Sequence, residues 1–248
     1  MLIEEIDYQM YKRMITIFGS ISEIYRQSQN KELFQRKIYS NDIVISNKIY
    51  SQELKNKADI IYTNLLNQDI KIISLDSTLY PKKLLNIYNP PFVILEYGDV
   101  ISKMRNQKMI YFYENHLSKF GKKVYQYFNY HIKYKMLRIG EKEKSDIFVE
   151  KENILDEKYV NRSQDNRIII PHSKNSLEMI LGLTDYLLII EARYNQDTKN
   201  MVNNIIEQGK EILVVPGNIF NKNHYFSNYL IQEGATVLLN KYDLDKFV

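Results

Sequence analysis

From Ile3 to about Leu66, apolar residues recur at helical spacing and polar residues fill the positions between them. Met10 and Met14 belong to one such series, which Gly19-Ser20 interrupts before the spacing resumes. A period of three to four residues predicts amphipathic helices, and a glycine followed by serine predicts a helix end and a new start. The pattern therefore predicts a small helical bundle, with its longest helix over 53–67.

Beyond this bundle the helical spacing gives way to short apolar runs of strand length, separated by helical stretches. Asn89-Pro90-Pro91 is extended, because the residue before a proline is disfavoured in a helix. We place a domain junction between about Asp69 and Asp99, and divide the chain into a helical domain, 1–75, and an α/β domain, 76–248. Strands are predicted over 70–75, 109–113, 133–140, 145–151, 167–171 and 211–215, and a helix over about 118–130.

The segment 207–235 gives the clearest local signal. Gly209 ends a helix, Glu211 to Val215 is a buried strand, and Pro216-Gly217 prevents the strand from continuing. A further helix then ends at Gly234-Ala235. Such a succession is half of a doubly wound layer, in which ligands bind beyond the carboxyl ends of the strands. Pro216 to Phe220, including Asn218, is therefore a candidate binding edge.

Composition narrows the chemistry. The 248 residues include no cysteine, and none of the four histidines lies four residues from another, the spacing that would place two on one helix face. We therefore expect no disulfide, no metal and no cofactor site. No apolar run approaches the ~20 residues that span a membrane, and the N-terminus is acidic rather than signal-like, which predicts a cytoplasmic protein. The 21 tyrosines, beside abundant Lys, Asn and Ile, are typical of AT-rich genes and do not by themselves indicate base stacking.

Positive charge is concentrated in one segment. The net charge is +4, and residues 103–144 hold 11 basic and 3 acidic side chains. A basic stripe is the electrostatic signature of a phosphate-backbone binder, and a solvated lysine face is the alternative. The predicted nucleic-acid-binding residues are Lys108, Lys119, Lys122, Lys123, Lys133 and Lys135 from this segment, with Lys174 and Asn218.

Several sequence blocks resemble one bacterial family. VVPGNIF at 214–220 and NYLIQEGA at 228–235 are similar to the C-terminal half of the DNA-processing protein A family, also called Smf. YPKKLLNIYNPPFVILEYGDV at 80–100 and LGLTDYLLIIEA at 181–192 resemble two further blocks, in the family's order. The resemblance implies an N-terminal domain similar to sterile-alpha-motif or helix-hairpin-helix modules, followed by a Rossmann-like domain. Some relatives append a winged-helix domain, for which we expect no room after Val248.

The chain departs from the family where phosphates would be held. Family members carry a Gly-Ser-Arg turn where this chain has Tyr113-Glu114-Asn115, and an Arg-Asn-Arg triplet where it has Ser176, Leu177 and Glu178. The glycine of a third step is missing at Gln196-Asp197-Thr198, and a second glycine-rich turn is absent. Lys174 is near enough in the sequence to substitute weakly for the lost arginines.

We also predict a reduced core. The strands at 133–140 and 145–151 are separated by only a few residues, whereas a parallel crossover usually needs a dozen or more. We therefore expect them to pair antiparallel as a hairpin through 141–144, or to lie apart, with one crossover helix lost. A short helix plus loop is predicted over 152–166. The fold class is α/β, a helical domain followed by a reduced, mostly parallel, doubly wound Rossmann-like domain.

Three functions remain open. The resemblance implies a non-enzymatic, dimeric protein that binds single-stranded DNA and loads a RecA-type recombinase during transformation, helped here by lysines and by stacking on Tyr111, Tyr113 or Tyr125. The second is an eroded paralogue that keeps the fold as a protein-interaction or dimerisation module. The third, a small-nucleotide binder at the same sheet edge, lacks a P-loop or GxGxxG sequence.

Catalysis has little support in the sequence. Glu191, at a strand end, has no histidine or second acid nearby in sequence, and we expect it to bond backbone amides of the following loop. His172 precedes a helix, where an imidazole can meet a phosphate, although a surface histidine is the simpler interpretation.

Overall fold

The computed structural model describes residues 8–37, 52–105, 108–113, 117–131, 135–139, 147–152, 167–171 and 176–247. The predicted helix and loop of 153–166 and His172 lie outside these ranges. Within them, no helix is both long and apolar enough to cross a membrane.

The N-terminal part is helical, as predicted. Gly19 adopts a positive φ of 86°, which turns the chain, and the Ser20 side chain then accepts from the Glu23 amide to start the next helix. Met10 and Met14 are buried at the predicted helical spacing and pack with Phe18. The helices are α1 (Tyr8–Phe18), α2 (Ile21–Gln27), α3 (Lys31–Lys37) and α4 (Gln52–Asn67).

One sheet of nine strands organises the described part of the chain, in the order β1-β2-β6-β5-β4-β3-β7-β8-β9. From β6 to β9 all neighbouring strands are parallel, whereas β2 runs antiparallel to both β1 and β6. The strands are β1 (Lys71–Ser74), β2 (Val93–Tyr97), β3 (Met109–Tyr113), β4 (Lys135–Ile139), β5 (Ile147–Glu152), β6 (Arg167–Pro171), β7 (Tyr186–Ile189), β8 (Glu211–Val214) and β9 (Thr236–Val237).

The predicted pairing of β4 and β5 is wrong. The two strands are parallel neighbours, with Leu137 opposite Ile147. Only residues 140–146 join the two strands. An extended chain from Ile139 to Ile147 nevertheless spans up to about 26 Å, at ~3.3 Å per residue. A five-residue strand is only about 16 Å long. A chain with no crossover helix is therefore long enough to return to the start of the neighbouring strand, and our minimum length was too strict.

Helices cover both faces of the sheet, which confirms the doubly wound class. Ile110 and Phe112 face one layer, where they pack with Phe128, and Tyr113 and its neighbours face the other. The helices are α5 (Val100–Arg105), α6 (Lys119–His131), α7 (Ser176–Leu183), α8 (Gln196–Glu207) and α9 (Tyr225–Gln232), with 3-10 helices at Lys82–Asn86, Lys222–His224 and Lys241–Phe247.

The helical segment packs onto the start of the α/β part. The Tyr8 amide donates to Oδ1 of Asn89 at 3.1 Å, and the Tyr11 ring lies 5.3 Å from that of Phe92. β1, which precedes the predicted boundary at residue 75, is already an edge strand of the sheet. The division into 1–75 and 76–248 stays a prediction.

Candidate functional site at the carboxyl edge of the sheet

The carboxyl ends of β3, β7 and β8 bring three chain segments together. The Phe226 amide donates to the Ala192 carbonyl at 3.1 Å, and Nε of Arg193 donates to Oδ1 of Asn223 at 2.6 Å. The ring of Phe120, in the first turn of α6, lies 6.2 Å from the ring of His224. These contacts join α6 to the loops after β7 and β8 at the edge where ligands bind in open α/β sheets.

Glu191 lies beneath this edge and is 1% exposed. Its Oε2 accepts from the Ser118 amide at 2.7 Å and its Oε1 from the Ser118 hydroxyl at 2.6 Å. A Cβ at Gly121 would lie 2.6 Å from Oε2, so Gly121 is needed for the close approach of this carboxylate. Glu191 does accept a hydrogen bond from a backbone amide, as predicted. That amide belongs to the segment before α6, however, and not to the loop that follows Glu191.

The N-terminus of α6 is therefore filled from inside the protein. In Rossmann-like folds the first helix N-terminus attracts a phosphate through its amides and its dipole. Here the Glu191 carboxylate takes the Ser118 amide at that position. A phosphate placed there would compete with the Glu191 oxygens for the Ser118 amide, so this edge does not hold a phosphate in the manner of a glycine-rich turn.

His224 completes the buried layer. It is 2% exposed, and its Nε2 lies 3.5 Å from Oε1 of Glu191. A Cβ at Gly217 would lie 1.9 Å from Nδ1 of His224, so only glycine fits here. Asn228 holds Gly217 in place, accepting from its amide and donating to its carbonyl at 3.0 Å each. The sequence did not reveal the Glu191–His224 pair, and its burial keeps it from a substrate.

Above this layer lies a surface of cations and aromatic rings, which we call the carboxyl-edge surface. Phe220 is 85% exposed and Phe120 is 56% exposed, and Tyr194 and Tyr225 are exposed as well. Aromatic rings beside cations are the combination that binds single-stranded nucleic acid. The exposed cations on these segments are Lys119, Lys122, Lys123, Arg193 and Lys222.

The predicted binding residues do not form one surface, which corrects our single-stripe interpretation. Lys119, Lys122 and Lys123 are exposed on α6 at the carboxyl edge, as is Asn218, whose Oδ1 accepts from the Phe220 amide at 2.9 Å. Two others lie at the opposite, amino edge, because they precede or begin strands. These are Lys108, before β3, and Lys135, the first residue of β4. Lys133 and Lys174 lie outside the described residues.

The predicted stacking tyrosines are wrong. Tyr113 is buried and shares a 2.9 Å hydrogen bond with the Thr198 hydroxyl, and Tyr111 packs against the core. The Tyr125 ring packs edge-on against Phe112, with the centroids 5.0 Å apart. Exposed Phe120 and Phe220 are the better stacking candidates. Phe220 is the last residue of the binding edge predicted from the sequence. Phe120, which lies among the lysines of α6, was not predicted as a binding residue.

The positions of two lost family motifs have structural functions here. The Asn195 side chain caps α8 by accepting from the Thr198 amide at 2.8 Å, so a glycine is not needed in the first turn. Burial raises the pKa of the Glu178 carboxyl, and backbone amides of Tyr88 and Asn89 act in the opposite direction.

In the described ranges, no group of three or more His, Asp or Glu side chains is placed to hold a metal ion.

A mostly parallel sheet with helices on both faces is a Rossmann-like fold, and comparison with known proteins shows what the chain is similar to. Residues 149–248 match the family model of DNA recombination-mediator protein A. This match confirms the resemblance to the DNA-processing protein A family over that part of the chain. A search of curated protein sequences finds no match.

Two solved structures share the fold. DNA processing protein A from Streptococcus pneumoniae superposes with a TM-score of 0.59 and 15% identity, over 96% of this chain and 97% of that one. DNA processing protein A from Helicobacter pylori, described with a unique single-stranded DNA binding mode, gives a TM-score of 0.54 and 12% identity, over 71% and 95%. The described α/β architecture is thus that of DNA processing protein A.

Proposed function

We propose that this chain is a non-enzymatic single-stranded-DNA-binding protein of the DNA-processing A type, which acts in the cytoplasm as a homodimer and loads a RecA-type recombinase during DNA uptake. The carboxyl-edge surface is the observation that carries the proposal. It combines exposed cations with exposed Phe120 and Phe220, at the sheet edge where this class of fold binds ligands. The family match and the structure from Helicobacter pylori support the same role.

Single strands fit this surface better than duplexes. Exposed rings such as Phe220 stack on bases that a single strand leaves unpaired, at about 1–3 kcal/mol per base. Lysines contribute by releasing counterions, with a slope of roughly −0.7 in log K against log salt for each phosphate contacted. Binding should therefore favour oligo-dT over duplex and should weaken as salt rises.

The mode of binding differs from a phosphate cradle. Glu191 fills the N-terminus of α6, so the strand would be held by side chains at the surface rather than by backbone amides. We assign phosphate contacts to Lys119, Lys122 and Lys123, with Asn218 beside Phe220. We also assign phosphate contacts to Arg193 and Lys222. Lys133 and Lys174 are proposed to bind DNA as well, and for these two the argument is the sequence alone.

The test is fluorescence anisotropy with labelled oligo-dT and with duplex DNA, at about 50 and about 200 mM salt. We expect preferential single-strand binding that weakens with salt, and no detectable binding once Lys119, Lys122 and Lys123 are all changed to Glu. The matched control changes exposed Lys12, Lys31 and Lys57 to Glu, which alters net charge equally on the helical segment. Unchanged affinity in the first variant, or equal loss in both, would contradict the proposed interface.

The alternative is a protein-interaction or dimerisation module without DNA binding. It is favoured by the carboxylate at the α6 N-terminus and by exposed apolar side chains in the C-terminal part, among them Ile219, Tyr229 and Leu239. Absence of DNA binding at micromolar protein, together with concentration-dependent association in sedimentation, would select it. Salt-sensitive binding of oligo-dT would reject it.

A further inference from the structure

A second concave site lies at the opposite, amino edge of the sheet, outside the carboxyl-edge surface. This amino-edge cavity has a volume of about 690 Å³. Its walls come from the 3-10 helix Lys82–Asn86, from α5, and from the residues that precede β3 and β7. Small-molecule sites usually measure about 300–1,000 Å³, so the cavity is large enough for an organic ligand.

Four cationic side chains line the cavity: Lys82, Lys83, Arg105 and Lys108. Asp185 is the one acid among the described lining residues. The cavity therefore carries a surplus of three positive charges. Clefts lined by one sign of charge concentrate ligands of the opposite sign, so this cavity favours a polyanion.

Asp185 neutralises Lys83 more strongly than it neutralises the other cations of the cavity. Its Oδ2 lies 2.6 Å from Nζ of Lys83 and also accepts from the Met109 amide at 2.8 Å. Nζ of Lys108 is 3.9 Å from Oδ1, a weaker contact. Arg105 donates to the Thr78 carbonyl and keeps its charge. The Lys82 side chain is exposed and makes no hydrogen bond or ion pair to the described residues. The charge that remains available is thus on the exposed side chains of Lys82, Arg105 and Lys108.

A neighbouring buried lysine interacts with two of the charged residues that line the cavity. Burial and, to a lesser extent, the charge of Lys83 lower the pKa of Lys210 to about 8, while Asp185 acts in the opposite direction. Nζ of Lys210 donates to the carbonyls of Leu181 and Gly182, behind the cavity wall.

The cavity floor is apolar. Ile101, Met104 and Leu183 are all buried and line it. A ligand that fits both parts has an anionic head of more than one charge and an apolar, preferably flat, body. A carboxylate has too little charge, and inorganic phosphate is too small to reach the floor.

We propose that the amino-edge cavity binds a nucleoside phosphate: its phosphate monoester or anhydride lies between Lys82, Arg105 and Lys108, and its base lies on the Ile101, Met104 and Leu183 floor. The same chemistry exists in a free nucleotide and at the 5′-phosphorylated end of a DNA strand. The site goes beyond the proposed function, because none of its residues belongs to the carboxyl-edge surface.

The experiment is isothermal titration of the full chain with ADP, AMP and inorganic phosphate. ADP should bind tightest and inorganic phosphate weakest. Lys82→Glu and Arg105→Glu should each weaken ADP binding by about tenfold or more, since each reverses a charge that contacts phosphate. The control Lys31→Glu makes the same charge change on α3 and should leave ADP affinity within about twofold of the unchanged chain.

Two oligonucleotides separate the sources of the ligand. If the site takes strand ends, a 5′-phosphorylated oligo-dT should bind more tightly than the same strand with a 5′-hydroxyl, and Lys82→Glu should remove the difference. If it takes free nucleotides, ADP should bind and the two strands should bind alike. The triple α6 variant should retain ADP binding whatever it does to DNA. The proposal is overturned if neither ADP nor a 5′-phosphate is bound, or if Lys82→Glu and Arg105→Glu both bind like the control.

Discussion

The contact between Gly217 and His224 allows a quantitative test of the buried layer. In Gly217→Ala the new Cβ would lie 1.9 Å from Nδ1 and 2.1 Å from Cγ of His224. Both distances are much shorter than the contact distance of two non-bonded atoms. Either the imidazole moves away from Glu191 or the turn moves away from Asn228, whose side chain makes two hydrogen bonds to Gly217. Overpacking of a core costs about 1–3 kcal/mol, and each lost hydrogen bond about 0.5–1.5 kcal/mol. We therefore expect Gly217→Ala to lower the free energy of unfolding by about 2–4 kcal/mol.

A double-mutant cycle identifies the cause. Urea denaturation followed by circular dichroism gives the free energy of unfolding for the unchanged chain, Gly217→Ala, His224→Ala and the double variant. His224→Ala removes the ring that the new methyl group strikes, so in that background Gly217→Ala should cost less than about 1 kcal/mol. An equal cost in both backgrounds would show that the turn itself, rather than the imidazole, requires glycine.

Three further predictions concern other parts of the structure. Glu191→Ala should destabilise the fold by about 2–4 kcal/mol in urea denaturation, because Ser118 loses two hydrogen bonds to a buried charge, and a cost below about 0.5 kcal/mol would refute this role. Phe220→Ala should weaken oligo-dT binding by about 1–3 kcal/mol with the urea midpoint unchanged, since the ring is exposed; equal affinity would exclude stacking there. The pKa of Lys210 is lowered to about 8 in the folded state, so the unfolded chain binds more protons between pH 8 and the usual lysine range near 10.5. Stability should therefore rise with pH across that window relative to Lys210→Met, and an unchanged difference between the two proteins would contradict the lowered pKa.

Local signals in the sequence were sufficient where the chain itself determines the structure. Gly209, with a positive φ of 66°, ends α8, and β8 follows over Glu211–Val214. The direction of β5 relative to β4 depends instead on how the chain returns to the sheet, which no local pattern records. A parallel strand covered on both faces also hides which side chains are exposed, and this is why Tyr113 was misjudged.

The candidate site shows the same limit. The lysines of α6 and the loop ending at Phe220 were visible as a charge cluster and a strand-end turn. The contact of Glu191 with Ser118 joins residues 73 positions apart, and His224 approaches from a third segment. Only the topology of the sheet brings these groups together. The separation of Lys108 from Lys122 likewise follows from their positions at opposite edges of the sheet, before β3 and in the first turn of α6.

The internal anion at the start of α6 has a consequence for how such a protein changes over evolutionary time. Because the Glu191 carboxylate accepts from the Ser118 amide and hydroxyl, and Gly121 leaves room for it, the start of α6 does not depend on an external anion. A lineage can therefore lose a phosphate-binding turn at this edge without first acquiring compensating changes at the start of the helix. Binding specificity at this edge is separable from folding, so new ligands can be selected on a scaffold that tolerates the intermediate sequences.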